Sequence, residues 1–213
     1  MSSVGFWLAI WITFVGLSTA TSAQVRVIDG DTLVIGEQTY RINGIDAPEH
    51  GQRCGDWACG KAATQAMGAL SVSGPIVCHA ISEDAFGRTI ADCFVGEVNL
   101  GQWMVSSGFA WAFLKYSTQY AEDERRAQKR ELGIWRGSFQ PPWEYRKRRW
   151  ATASQKAPDG CPIKGNISKN GRIYHAPWSP WYERTRISTA KGERWFCSEA
   201  EAIAAGWRAP HWY

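Results

Sequence analysis

Two neighbouring segments rich in β-branched residues constrain this chain most. Val25–Ile35 is interrupted by Asp29-Gly30-Asp31, and Gln38–Ile45 follows after a turn at Gly36-Glu37. Runs of this kind separated by a short turn are expected to pair as strands. Pairing gathers acids: Asp29, Asp31 and Asp46 fall on adjoining segments, with Arg41 and Glu49 beside them. Carboxylates so gathered repel one another unless a cation lies among them, and a hard, oxygen-seeking ion such as Ca²⁺ suits them. Arg41 offers a planar donor fork suited to phosphate. Glu49, just past the rigid Pro48, is placed to orient or deprotonate a water. A third piece, Asp84-Ala85-Phe86-Gly87-Arg88, offers a second arginine. Each piece alone also reads as ordinary turn or strand-end chemistry. Together they are the parts for phosphodiester hydrolysis, in which a cation and arginines offset transition-state charge and a carboxylate serves the water.

The N-terminus sets the compartment. No charged side chain precedes Arg26, and the mostly apolar run Val4–Thr19 is followed by the small residues Ala20 to Ala23. This pattern predicts a signal peptide over residues 1–23, cleaved after Ala23. The alternative is an uncleaved N-terminal membrane anchor. Either way the remainder faces the periplasm or the exterior. Six cysteines agree with an oxidising compartment. Six allow 15 pairings, but Cys54 and Cys59 flank a short loop, Cys78 and Cys93 can face each other across a hairpin, and Cys161 and Cys197 bracket the C-terminal segment. No CxxC pair or close His–Cys cluster is present, so zinc is not expected. The net charge of +4 is too small by itself to argue for nucleic acid.

The rest of the chain supplies a small barrel and an appendage. A helix is expected over Trp57–Leu70 with Asp56 as N-cap, then a hairpin of Ile76–Ile81 and Arg88–Val95. A short helix Val98–Ser107, closed by Gly108, should follow, then a strand over Phe109–Phe113. A charged helix Tyr120–Leu132 should end at Gly133. This order suggests an α+β domain. Residues 144–160, with Arg146-Lys147-Arg148-Arg149 and then small polar residues, read as a basic, polar linker. Residues 161–213 form a second module whose last helix opens with the capping box Ser198-x-x-Glu201.

The segment from about Val25 to Trp143 resembles the staphylococcal nuclease (thermonuclease) family. The likeness runs through Ile-Asp-Gly-Asp-Thr, Arg-x-x-Gly-Ile-Asp-Ala-Pro-Glu, Asp-x-Phe-Gly-Arg and the closing Gly133-Ile134-Trp135, in that order. The resemblance implies an OB-fold five-stranded β-barrel with three helices over residues 25–143, followed by the small disulfide-stapled module. It also implies Ca²⁺-dependent hydrolysis of DNA and RNA giving 3′-phosphates. By motif position, Asp31 and Asp46 would be side-chain calcium ligands, Ala47 a backbone carbonyl ligand, and Asp29 a near neighbour of the metal. Arg41 and Arg88 would contact the scissile phosphate, and Glu49 would act on the attacking water.

Departures accompany the likeness. Ala85 and Phe86 stand where the family's best-known member has Lys and Tyr, so contacts to a terminal phosphate are expected to be lost. Tyr116 keeps an aromatic near the nucleotide pocket. Residues 161–213 loosely resemble small zinc-binding modules found after secreted bacterial nucleases, but the paired cysteines are absent, and His175 and His211 read as packing or surface residues. The expectation is an exported, monomeric, calcium-dependent nuclease acting on DNA and RNA with low sequence specificity. The alternatives are a catalytically weak nucleic-acid- or protein-binding barrel, or a scaffold associated with envelope polysaccharide.

Overall fold

A computed structural model describes residues 24–210. The expected signal or anchor over residues 1–23, and His211, lie outside them. Strands β1 (Val25–Val27), β2 (Thr32–Ile35) and β3 (Gln38–Ile42) pair antiparallel in succession, with Thr32 opposite Arg41. The short β4 (Ile45–Asp46) follows. Helix α1 (Cys59–Ser71) leads to the hairpin of β5 (Ile76–Glu83) and β6 (Thr89–Val95). β3 joins that hairpin in parallel, Tyr40 opposite Thr89, which brings the Arg41 strand beside the one that follows Arg88. β7 (Val98–Asn99) adds to β6 and leads into α2 (Leu100–Ser106). β8 (Trp111–Ala112) closes back on β4, with Asp46 opposite Trp111. Helices α3 (Ala121–Lys129) and α4 (Pro142–Ser154) complete this part.

The pleat explains which residues go inside. Leu33, Ile42, Ile45, Met67, Leu100 and Met104 are fully buried in one core between the sheet and helices α1 and α2. Gly30 stands between the two acids of its turn because a Cβ there would fall 2.7 Å from the Ala47 Cβ and 2.8 Å from the Ala63 Cβ. Aromatic residues build a second cluster: Trp111 and Ile134 with Trp57, Trp135 and Trp143 packed against the Cys54–Cys59 disulfide.

The C-terminal segment forms a three-stranded sheet of β9 (Ile163–Ser168), β10 (Gly171–His175) and β11 (Arg194–Phe196), in the order β10-β9-β11, and helix α5 (Glu199–Ala204). Its own core is Ile163, Tyr174, Phe196 and Trp207. Disulfides join Cys54 to Cys59, Cys78 to Cys93 and Cys161 to Cys197. Among the described residues no helix is long and apolar enough to cross a membrane.

Two local expectations are corrected. Asp56 does not cap α1: the Cys54–Cys59 disulfide and the Cys54–Trp57 backbone pairing hold residues 54–58 as a turn, and the helix begins at Cys59 with no side-chain cap. Helix α3 ends before Gly133. Glu131 takes the left-handed conformation (φ 51°), and its own amide and that of Leu132 bond the Gln128 and Ala127 carbonyls, closing the helix two residues earlier. Much of residues 144–160 is helical. Pro142 stands in the first turn, where its missing N–H costs nothing, and the residues that follow favour helix, so α4 runs on to Ser154.

Candidate active site

The acidic residues converge through strand pairing. The Ala47 amide donates to Asp31 Oδ2 at 2.9 Å, which locks the Asp29–Thr32 turn against the end of β4. Thr32 Oγ1 donates to Asp31 Oδ1 at 2.8 Å, and the Asp31 amide donates to Asp29 Oδ1 at 3.0 Å. Asp31 and Asp46 are buried, whereas Asp29 and Glu49 are half-buried.

One guanidinium bridges the two buried acids. Arg41 Nη1 lies 2.6 Å from Asp31 Oδ1, and Nη2 lies 3.2 Å from Asp46 Oδ1. A second arginine, from α4, completes the set. Arg146 Nη2 meets Asp46 Oδ2 at 2.7 Å, and Nη1 meets both Asp46 Oδ1 at 3.0 Å and Glu49 Oε1 at 2.7 Å.

Burial and charge pull the acids in different directions. Burial pushes the Asp31 carboxyl up, but Arg41, the Ala47 amide and the Thr32 hydroxyl outweigh it and hold Asp31 below the usual carboxylate range. Asp29 is pushed well up by burial and by the negative charges of Asp31 and Glu49. Glu49 is pushed up to about 7 by burial, against the pull of Arg146. A carboxyl near 7 is matched to taking a proton from water at neutral pH.

Four carboxylates face two guanidiniums, so two negative charges remain when all are ionised. Oxygen donors with that excess are what a hard divalent cation binds. Asp31 and Asp46, which share Arg41, are the side chains that could hold such an ion. Among the described residues no group of three His, Cys, Asp or Glu side chains is arranged to hold a metal ion.

Arg88 is placed differently from Arg41. It makes no hydrogen bond with the four acids. Its Nε and Nη2 both lie 2.7 Å from Asp84 Oδ2, and its guanidinium sits 5.3 Å from the Phe86 ring centroid. It lines the same cleft as Arg41, Asp29 and Glu49, a space of about 1170 Å³. Phe86 and Tyr116 are exposed on that cleft.

The opposite wall was not anticipated. It comes from α4 and the C-terminal segment: Trp143, Arg146, Trp150, Tyr174, Trp178 and Glu199. The loop after Glu49 packs on that segment, since a Cβ on Gly51 would meet the Trp178 carbonyl at 3.3 Å and Pro180 Cβ at 3.4 Å. Arg149 ties the same junction, donating to the Pro177 carbonyl at 2.8 Å and to Glu183 at 2.9 Å. The available signal was helical spacing: Trp143, Arg146 and Trp150 stand three and four residues apart, on one face. His175, read as a packing residue, is buried and bonded to Asn166 Oδ1 (3.1 Å) and Ser179 Oγ (3.3 Å).

Comparison with known sequences gives two family matches: Staphylococcal nuclease homologue over residues 39–137, and ArfC over residues 145–209. The chain is 33% identical over 132 residues to the succinoglycan biosynthesis protein ExoI of Rhizobium meliloti (strain 1021), covering 57% of this chain and 68% of that one. It is 32% identical over 135 residues to an uncharacterized endonuclease of Escherichia coli O157:H7, covering 59% and 84%. It is also 32% identical over 141 residues to a micrococcal nuclease of Shigella flexneri, covering 58% and 78%.

Proposed function

The chain belongs to the staphylococcal nuclease family, and from that premise we propose that it is an exported, calcium-dependent nuclease that hydrolyses phosphodiester bonds of DNA and RNA with low sequence preference. The observation that carries the reading is Arg41 bridging Asp31 and Asp46 with Glu49 on the same cleft. Family membership and relatives named endonuclease and micrococcal nuclease support nuclease chemistry. Three disulfides support an extracellular or periplasmic location.

Asp31 and Asp46, with the Ala47 carbonyl and with Asp29 nearby, would hold the calcium ion. When bound, the ion supplies positive charge beside the phosphoryl oxygens, where negative charge grows. Arg41 remains on Asp31 and turns its free donor edge to a phosphate oxygen. Arg88 reaches the same phosphate from the hairpin by leaving Asp84. Glu49 takes the proton of the attacking water as the new P–O bond forms, and the P–O5′ bond breaks with its electron pair leaving on the 5′ oxygen. Residues 25–143 would carry this chemistry, and α4 and residues 161–213, the latter as a disulfide-stapled module, would flank the cleft.

Digestion of plasmid DNA and of single-stranded RNA, with millimolar CaCl₂ or with a chelator, tests the reading. Cleavage in calcium that stops on chelation is expected. Intact substrate in calcium would overturn it in favour of a binding barrel. The one observation favouring a polysaccharide-linked scaffold is the name of the Rhizobium relative, and calcium-stimulated cleavage would remove the need for that reading.

A further inference from the structure

Arg146 stands outside the part of the chain that matches the nuclease family and inside the segment that follows it. It nonetheless has the most complete grip on the acids. Both Asp46 oxygens and Glu49 Oε1 are engaged by its two terminal nitrogens, at 3.0, 2.7 and 2.7 Å. Asp46 Oδ1 also accepts from Arg41. The Asp46 side chain has no exposed surface, so water cannot substitute for those donors. A carboxylate gripped by a two-nitrogen fork has little lone-pair capacity left for another cation. A divalent ion on Asp46 would also be repelled by that guanidinium for as long as it stays in place.

We propose that Arg146 is a tethered counter-cation: it holds Asp46 and Glu49 in place and has to release Asp46 before a divalent ion can take that carboxylate. This rests on the reading of Asp31 and Asp46 as a cation site. The tether permits release. Arg146 is about a quarter exposed (24%) and projects from α4 into the open cleft, so its guanidinium can swing away without unfolding the helix. Arg41 differs because it also holds Asp31 and belongs to the family-matched strand. In this scheme Arg146 acts as a positioning residue for Glu49 and as a brake on metal loading. It is also the point at which the placement of α4, and of the segment behind it, alters the affinity of the acids for the ion.

The test is metal binding without substrate. Terbium luminescence sensitised by tryptophan, and calcium calorimetry, are compared in the full-length wild type and in Arg146→Gln, Arg146→Lys and Arg148→Gln. Arg146→Gln is expected to bind Tb³⁺ and Ca²⁺ about tenfold or more tighter. Arg146→Lys, which keeps the charge but not the fork, should tighten binding clearly less than Arg146→Gln, and Arg148→Gln should stay near wild type. Equal or weaker affinity in Arg146→Gln overturns the proposal while leaving the cation site intact. Equal tightening in Arg146→Lys overturns it too, because charge would not be the cause. Absence of binding in every protein overturns it together with the cation site itself. If Arg146→Gln does not fold, the Arg146 guanidinium proton signals of the wild type decide. They should change from restrained to freely rotating as Ca²⁺ is added, and an unchanged spectrum at saturation overturns the proposal.

Discussion

The backbone of Gly60 lies so close to Glu49 that a Cβ built on Gly60 would stand 1.7 Å from the Glu49 carbonyl oxygen. The start of α1 is therefore the support on which the Glu49 segment rests, reinforced by the Gly60 amide donating to the Gln52 carbonyl at 3.1 Å. Gly60→Ala must push that segment away. It should lower the rate of DNA hydrolysis about as far as Glu49→Gln does, on the order of 10²–10⁴-fold for loss of a general base. Plasmid cleavage measured on both variants checks this, and a wild-type rate in Gly60→Ala would contradict it.

The two arginines expected on the phosphate should separate by stability. Arg41 is the ion-pair partner of buried Asp31 and shares Asp46 with Arg146, so its loss strands the Asp31 charge, and Arg41→Ala should destabilise the metal-free protein by about 3–5 kcal/mol. Arg88 pairs with half-exposed Asp84, so Arg88→Ala should leave stability nearly unchanged while still lowering the hydrolysis rate. Urea unfolding paired with rate measurements distinguishes the two.

His175 gives the C-terminal segment a pH-dependent stability. Burial, with Lys164 and Arg184 nearby, pulls its imidazole from the ordinary 6.5 down to about 4. The neutral form is the one the fold favours. Its contribution is complete above pH 6.5 and is lost as pH falls from there through about 4. An NMR titration of the His175 ring should show a midpoint near 4, and His175→Gln should flatten the fall in stability over that interval.

The Cys161–Cys197 disulfide closes a stretch of 36 residues around a small core. Replacing both cysteines by serine should cost the C-terminal segment about 3–4 kcal/mol by restoring freedom to the unfolded chain. A thiol assay on the denatured, unreduced wild type should find no free thiol, and thermal unfolding of the double variant should begin in this segment.

Much of the site could be read from the sequence because its residues lie on two adjoining strands. Once β2 and β3 pair, Asp31, Arg41 and Asp46 have few ways to avoid one another. Arg146 was not legible in the same way. It lies 100 residues from Asp46 along the chain, and a run of four basic residues looks the same whether it faces solvent or an acid cluster. Its position depends on the helix that Pro142 starts and on the packing of Trp143 and Trp150, which are tertiary events. Glu131 in the left-handed conformation was hidden for a similar reason. Glycine at 133 looked like the helix stop, whereas a Cβ at 133 would stand 2.0 Å from the Gly108 carbonyl oxygen, so its smallness serves that contact instead.

The walls of the cleft come from distant stretches of the polypeptide: Asp29 to Arg88 on one bank, Trp143 to Glu199 on the other. A chain still being synthesised thus displays its carboxylate bank as an open shelf, with neither Arg146 nor Trp178 yet made. The two-walled geometry exists only once the stretch from Trp143 to Glu199 has been made, so a product truncated before it would present substrates with a differently shaped entrance.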